Sequence, residues 1–432
     1  MVRVTERRKR MTYYPSHCIM TYSRVLMDPL DARPDQILIE DIAHSLSLMT
    51  RANGHCRQFY SVAQHSINCA LEARNLGLSP RVQLACLLHD AAEAYIADIP
   101  RPVKHRLSGF AEIEEYVQAV IFQRFGLDDM TENEWEAVAR IDDALLHAEF
   151  HALMGIPIFE TAPYLSQAYD FGPQDMDSVY RAFIRVFREL VPPPAGARKV
   201  VGADGCKGGW AAVALTGDRV DVHVFPTVSD LFAAHADAEL FIIDMPIGLP
   251  ESPEDMRPEK AARRLLSGKA SSIFNCPCRQ AVYADQKEAS AVNKAVLGKA
   301  LPAQSLGLIP KIRELDEYLT AHPDIRPRVL ESHPELCFAM LSGSPVLESK
   351  HTSEGQQKRL DILSPLCPTV RGAVEHAGFP KSTAALDDLI DAACLAVVAH
   401  LSLERPLKTL PERPQKDARG LTMQMVYAEK IK

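Results

Sequence analysis

No run in these 432 residues approaches the roughly 18 consecutive apolar residues of a membrane-spanning helix. A membrane partner is therefore not expected. Positive charge is not in excess either: 48 Lys and Arg stand against 56 Asp and Glu, for a net charge of −8. No global basic field points to nucleic acid, although a local basic groove stays open. The basic run Arg7-Arg8-Lys9-Arg10 has no apolar stretch behind it, so it reads as a solvated terminus and not as a signal peptide. The ten cysteines are scattered, and the closest pair, Cys276-Pro277-Cys278, has no second pair at zinc-finger spacing. Reduced core thiols and a cytoplasmic location are expected in place of a disulfide framework. There is no internal repeat and no low-complexity tract.

What is present is the composition of a globular protein, 47% hydrophobic and 24% charged, in a chain long enough for two domains. Residues 35–190 carry helical periodicity. Helices are expected over Ile39–Leu48, Ser61–Leu76, Pro80–Ala97, Phe110–Phe125, Thr131–Met154 and Met176–Leu190. Thr131 with Glu134 three residues on is a capping-box signature. Val191-Pro192-Pro193-Pro194-Ala195-Gly196 then breaks the pattern, since three prolines favour an extended spacer. Strand-like runs follow at Lys199–Ala203, Trp210–Leu215, Arg219–Phe225, Glu239–Asp244 and Arg328–Ser332, mixed with helical runs at Val228–Ala236 and Ala385–Leu401. The expected organisation is an all-α domain at 20–191, a Pro-rich linker at 192–198, and an α/β domain with a mixed sheet at 199–432.

The first constellation sits in Leu84-Ala85-Cys86-Leu87-Leu88-His89-Asp90-Ala91-Ala92-Glu93. A carboxylate in apolar company needs a hydrogen bond, an ion pair or a metal. His65 upstream and Asp142 or Asp143 downstream supply the other donors for a mixed nitrogen and oxygen site, suited to a transition metal or to Mg²⁺ or Mn²⁺. Glu93 lies three residues after Asp90 and shares its helix face, where it can serve as general acid or base. Asp98 follows in a proline-bounded loop, Ala97-Asp98-Ile99-Pro100-Arg101-Pro102-Val103-Lys104. Taken singly, each histidine reads as core and each aspartate as a cap; the set does not.

Together with Asp41-Ile42-Ala43-His44-Ser45-Leu46-Ser47, Arg51-Ala52-Asn53-Gly54-His55 and Ser61-Val62-Ala63-Gln64-His65, this pattern resembles the HD-domain metal-dependent phosphohydrolases over residues 36–155. The nearest likeness is to the small 5′-deoxynucleotidase-like group. The resemblance implies a helical bundle, and His65, His89, Asp90 and Asp142 as ligands of a divalent ion (Mn, Co, Mg, Zn or Ni). It implies Glu93 and Asp98 near the reacting water and leaving group, and Arg51 near the substrate phosphate, where a guanidinium fork is chemically apt. His55 is an equal candidate for substrate contact and for loop packing. Asp142 is preferred to Asp143 because the resemblance places a Glu, here Glu149, seven residues on.

The second half offers Asp204 and Asp244 at strand ends and Asp387-Asp388-Leu389-Ile390-Asp391 opening an apolar helix. Carboxylates so placed can bind one or two Mg²⁺ ions for phosphodiester cleavage, or can simply be turns and caps. The blocks Gly202-Ala203-Asp204-Gly205-Cys206-Lys207-Gly208-Gly209-Trp210, Ile243-Asp244-Met245-Pro246-Ile247-Gly248-Leu249-Pro250, Glu331-Ser332-His333-Pro334-Glu335 and Leu386-Asp387-Asp388-Leu389-Ile390-Asp391-Ala392 resemble a family of RNase-H-like predicted nucleases. That resemblance implies Asp204, Asp244, Asp388 and Asp391 as catalytic carboxylates for Mg or Mn, with Glu331 as a further candidate. Arg257, Lys260, Arg263 and Arg264 fall on a helix with Lys269 beyond; a solvated helix face is the first reading and contact with a nucleic-acid backbone the second, with Arg279, Lys311 and Arg313 as further basic candidates.

The expectation is thus a hydrolase that removes phosphate from nucleotides, (deoxy)nucleoside 5′-monophosphates first, joined to a nuclease domain. In the alternatives, nuclease activity is principal with the helical domain acting on (d)NTP or cyclic nucleotides, or the second domain only binds nucleic acid. Pairing of chains through exposed apolar helical faces is a further expectation.

Overall fold

The computed structural model describes residues 15–430 and divides after Pro192 into two compact units. The basic run at 7–10 lies outside the described residues. No described helix is long and apolar enough to cross a membrane.

The first unit begins with a minimal antiparallel pair, β1 (Ile19–Met20) and β2 (Leu26–Met27), so it is helical but not strictly all-α. Its helices are α1 (Ile39–Leu48), α2 (Val62–Asn75), α3 (Pro80–Leu88), α4 (Glu93–Ile96), α5 (Arg101–Lys104), α6 (Phe110–Arg124), α7 (Glu132–Met154) and α8 (Met176–Leu190). Local chemistry sets several starts. Ser61 caps α2 by accepting from the Gln64 amide, and Gln64 returns the bond to the Ser61 amide. Thr131 and Glu134 do the same for α7. Gly155 ends α7 with φ +73°, the left-handed conformation that glycine adopts without strain. One core holds the unit together, with Ile42, Leu46, Ala63, Leu87, Ile121 and Phe183 among its fully buried members.

The continuous helix expected over Pro80–Ala97 is not formed. It ends at Leu88 and resumes as one turn at Glu93. Between them the amides bond three residues back, Ala91 to Leu88 and Glu93 to Asp90, a tighter winding than the α-helix. Gln118 of α6 holds the break: its amide donates to the Leu88 carbonyl at 2.7 Å and its oxygen accepts from Ala92 N at 3.0 Å. A side chain 26 residues away replaces the local partners, so nothing in the apolar run itself reveals it.

The second unit is built on a five-stranded sheet ordered β5-β4-β3-β6-β7. Its strands are β3 (Lys199–Cys206), β4 (Gly209–Thr216), β5 (Arg219–Phe225), β6 (Leu240–Asp244) and β7 (Val329–Glu331). The first three form an antiparallel meander, and β3, β6 and β7 are parallel. Side chains alternate across the sheet: Val200 and Ile242 enter one core, Val201, Ala203, Phe241 and Ile243 the other. Helices therefore cover both faces. They are α9 (Val228–Ala234), α10 (Glu259–Leu265), α11 (Arg279–Tyr283), α12 (Ala289–Leu297), α13 (Ala303–Ala321), α14 (Pro334–Ser342), α15 (Ser353–Leu363), α16 (Val370–Glu375) and α17 (Leu386–Leu401). A hairpin of β8 (Lys408–Lys416) and β9 (Thr422–Tyr427) completes the unit. Sequence reasoning missed this hairpin, because Pro411 and Pro414 argue against a strand.

Helix α17 approaches β3 closely. A Cβ built on Gly202 would meet Ala396 N at 2.1 Å and the Ala392 carbonyl oxygen at 2.2 Å. Only glycine lets the helix backbone rest on the strand, and this contact sets where the first turn of α17 lies.

Candidate functional sites

In the helical unit, α2, α3 and α7 bring four donor atoms to one point. His65 Nε2 from α2 lies 3.2 Å from His89 Nε2 at the end of α3 and 3.1 Å from Asp142 Oδ1 of α7. Asp90 Oδ2 lies 3.4 Å from His89 Nε2 and 3.7 Å from His65 Nε2, and His89 Nε2 lies 3.7 Å from Asp142 Oδ1. Around a divalent ion with bonds of about 2.0–2.2 Å, neighbouring donors are separated by about 2.9–3.6 Å, a range these distances overlap. Asp143, the alternative to Asp142, has no such contact.

The outer nitrogens are also accounted for. His65 Nδ1 is 2.7 Å from Glu149 Oε1, which accepts from the Tyr60 hydroxyl at 2.9 Å as well. His89 Nδ1–H donates to the Cys86 carbonyl at 2.8 Å. Protons held on Nδ1 leave both Nε2 lone pairs facing the carboxylates, the pattern of metal-ligating histidines. Four converging lone pairs repel one another unless protons or a cation sit among them, and the Arg51 guanidinium, 3.0 Å from Asp90 Oδ2 and 3.1 Å from His65 Nε2, supplies part of that charge. The residues therefore fit a divalent ion. Burial opposes ionisation of Asp142, yet hydrogen bonds from the His65 and His89 rings, which need a proton on Nε2 that a bound cation would replace, hold its carboxyl well below the usual range.

Cys69, one turn after His65, was not anticipated. Its Sγ lies 3.5 Å from His65 Nε2, and His65, Cys69 and His89 form a group of donors within 4.8 Å of one another that can hold a metal ion. The i, i+4 spacing from His65 was the available signal. Burial raises this thiol to about 11.

Arg51 reaches the same point. Its guanidinium donates to Asp90 Oδ2 at 3.0 Å, lies 3.1 Å from His65 Nε2, and is 3.8 Å from Asp142 Oδ1. Glu93 is buried and its Oε2 has no partner; Asp98 is half-buried with Oδ2 likewise orphaned. Burial, with Asp90 and Asp98 nearby, pushes the Glu93 carboxyl well above its ordinary value, and burial also raises Asp98. Of the four described non-glycine residues at positive φ, three flank these groups: Ala52 and Asn53 follow Arg51, and Ala97 precedes Asp98. Such conformations cost of order 1–3 kcal/mol each and concentrate at functional positions. His55 is exposed at the end of the Arg51 turn.

In the α/β unit, Asp204 and Asp244 are register partners on parallel strands. Asp204 lies two residues after Gly202, so it points to the face on which α17 rests, and Asp391 enters from the first turns of that helix. Asp204, Asp244 and Asp391 line one cavity of about 460 Å³ together with Lys350 and His333. Burial and the neighbouring Asp244 and Asp391 push Asp204 well above its ordinary value; burial raises Asp391 to about 6 against the pull of Lys350. Asp388 does not join them. Its Oδ2 accepts from the Ala385 amide at 2.9 Å and caps α17. Glu331 is tied to Arg257 at 2.6 Å and to the Ile247 amide at 2.7 Å.

Most of the basic stripe is turned inward. Arg257 is buried between Glu259 and Glu331 and donates to the Ile247 and Gly248 carbonyls. Arg279 pairs with Glu251, Asp316 and Asp417, Lys311 donates to Gly209 O, and Arg313 to Val282 O. Arg263 donates to Ile273 O and Asn275. Lys269 is held near Glu348 O and Glu335. Lys260 and Arg264 are exposed. All ten cysteines are free, eight of them buried, Cys276 and Cys278 included.

Comparison with known proteins places part of the chain in a family. Over 163 residues the chain is 32% identical to the uncharacterized protein YfdR of Escherichia coli (strain K12), a match spanning 36% of this chain and 85% of YfdR. The chain belongs to the YfdR family. An uncharacterized protein of Rhodobacter capsulatus is 43% identical over 106 residues, 23% of this chain and 54% of that protein. Residues 202–416 match the family described as "Protein of unknown function (DUF429)", which takes in Asp204, Asp244, Lys350 and Asp391. This YfdR family member joins a helical unit to a DUF429-matching α/β unit.

Proposed function

We propose that the helical unit is an HD-type metal-dependent phosphohydrolase acting on (deoxy)nucleoside 5′-monophosphates. The observation that carries this reading is the convergence of His65, His89, Asp90 and Asp142 at 3.1–3.7 Å, with both imidazoles oriented by Nδ1 partners. A divalent ion held by these four side chains would supply an activated water and polarise a phosphoryl oxygen. The chain's own groups do the rest. The Arg51 fork, held in a strained turn, binds the phosphate oxygens. The water oxygen bonds to phosphorus as the bond to the 5′ oxygen breaks. Glu93, whose carboxyl burial raises well above its ordinary value, gives that leaving oxygen its proton, and Asp98 takes the proton of the water. The test is phosphate release from a panel of nucleotides by the full chain with Mn²⁺ or Co²⁺. His89→Ala must abolish it; retained release sinks the reading.

A second activity is supported by the acidic cavity. Asp204, Asp244 and Asp391 on a mixed sheet and its covering helix suit a Mg- or Mn-dependent, RNase-H-like nuclease. The inward direction of Arg257, Arg263, Arg279, Lys311 and Arg313 weighs against a module that only binds nucleic acid. Cleavage of single- and double-stranded substrates with Mn²⁺, lost in Asp204→Asn, is the expected result; binding without cleavage by the unaltered chain would refute it.

A further inference from the structure

Lys350 lies between α14 and α15, outside every block that drew attention in the sequence. Its ammonium is 2.6 Å from Asp391 Oδ2 and it lines the cavity with Asp204 and Asp244. It is not a mobile surface lysine. A Cβ on Gly355 would stand 2.0 Å from the Ser349 carbonyl oxygen, so the backbone just before Lys350 is seated directly on the start of α15. The Glu348 carbonyl accepts from Arg359, which is fully buried and paired with Glu335 at 2.6 Å. Gly355 and Arg359 thus fix the loop that aims Lys350.

The three glutamates of the cavity wall are matched by three cations: Glu259 and Glu331 share Arg257, and Glu335 lies between Arg359 and Lys269. Asp204 is different. It is only 8% exposed, faces the cavity, and its carboxylate accepts no hydrogen bond among the described residues. Three ionised aspartates, the state a bound cation would enforce, and one ammonium leave two negative charges, which one divalent ion balances.

We propose that Lys350 is a built-in cation of this cavity, so that it takes one divalent ion, on Asp204 and Asp244, and grips a phosphate ester between that ion and the ammonium. This rests on reading the cavity as a metal-dependent phosphoester site. The ammonium sits where a second ion would otherwise be needed to offset Asp391 and the developing charge on the phosphate.

The test is Mn²⁺ titration of the full chain in a His65→Ala/His89→Ala background, which removes ligands from the helical unit. One Mn²⁺ per chain is expected with Lys350 in place. Lys350→Met, or Lys350→Gln should the first not fold, binds Mn²⁺ at least about tenfold more tightly because a fixed like charge is gone; Lys350→Arg keeps the starting constant. Two ions bound with Lys350 present, or an unchanged or weaker constant in both neutral variants, overturns the proposal while leaving the metal reading intact. No Mn²⁺ bound by any of these chains overturns the metal reading itself, and this proposal with it.

Discussion

Glu149 offers the most discriminating perturbation of the helical unit, because it touches His65, a proposed metal ligand, without being one itself. It is almost fully buried on α7, seven residues after Asp142 and therefore on the same helix face. Its Oε1 serves His65 Nδ1 at 2.7 Å and the Tyr60 hydroxyl at 2.9 Å, and its Oε2 lies 3.6 Å from Arg51 Nε. Glu149→Gln keeps the shape but gives one of these positions an NH₂ group. If the oxygen stays on His65, the new donor confronts the Arg51 N–H; if the amide turns over, it confronts the imidazole N–H and frees the ring to rotate. Loss of such an orienting partner costs about 10–100-fold in metal affinity, or about 1.4–2.7 kcal/mol. Isothermal titration of the full chain with Zn²⁺ or Co²⁺ reads the constant directly, and circular dichroism confirms the fold. A constant within threefold of the unaltered chain in a folded Glu149→Gln protein would refute the argument that this carboxylate orients a ligand.

Three further outcomes are expected. Asp142→Asn should cut phosphate release by about 100-fold or more, at least the upper end of what an orienting residue costs, whereas Asp143→Asn should leave it nearly unchanged; equal losses would show that the wrong aspartate has been assigned. Gly202→Ala should destabilise the α/β unit by about 3 kcal/mol, since its methyl would lie about 2 Å from the α17 backbone; this is read by urea unfolding through Trp210 in a Trp135→Phe background, and a change below 1 kcal/mol would be fatal to it. His235 is buried beside Phe225 and His223 with neither ring nitrogen hydrogen-bonded, and burial lowers it to about 4. The unfolded chain protonates near 6.5, above the folded value, so stability is lost as pH falls from about 6.5 to about 4, by about 2 kcal/mol after allowing for partial solvent access. Lys199, Asp221 and Asp237 face the ring and remain in His235→Phe, which should lose that much less stability over the window; parallel pH curves for the two proteins would contradict it.

Much of this chain is written locally. The Ser61 and Thr131 caps, the apolar run at 240–244 and the helix at 386–401 are each decided by neighbours within a few residues, through capping hydrogen bonds and hydrophobic period, and all can be read off the order of residues. The candidate ligands His65, His89, Asp90 and Asp142 were also visible there as residue types in apolar company that demand a partner. Their convergence depends on α2, α3 and α7 packing side by side. The break at His89 depends on Gln118, and the inward turn of Arg257 and Arg279 depends on carboxylates as far away as Glu331 and Asp417. Asp388 and Asp391 share a helix and a chemistry; which one faces the cavity was settled by the seating of α17 on Gly202, and which one caps by the free amide of Ala385. Lys350 carries the same lesson furthest. A lysine in a loop has no local signature, because what makes it significant is the charge of aspartates on three other elements. Sequence alone determined the elements and the chemical inventory, since propensity and capping act over one or two turns; tertiary structure alone decided which charges meet, since electrostatics and burial act across space and take no account of separation along the chain.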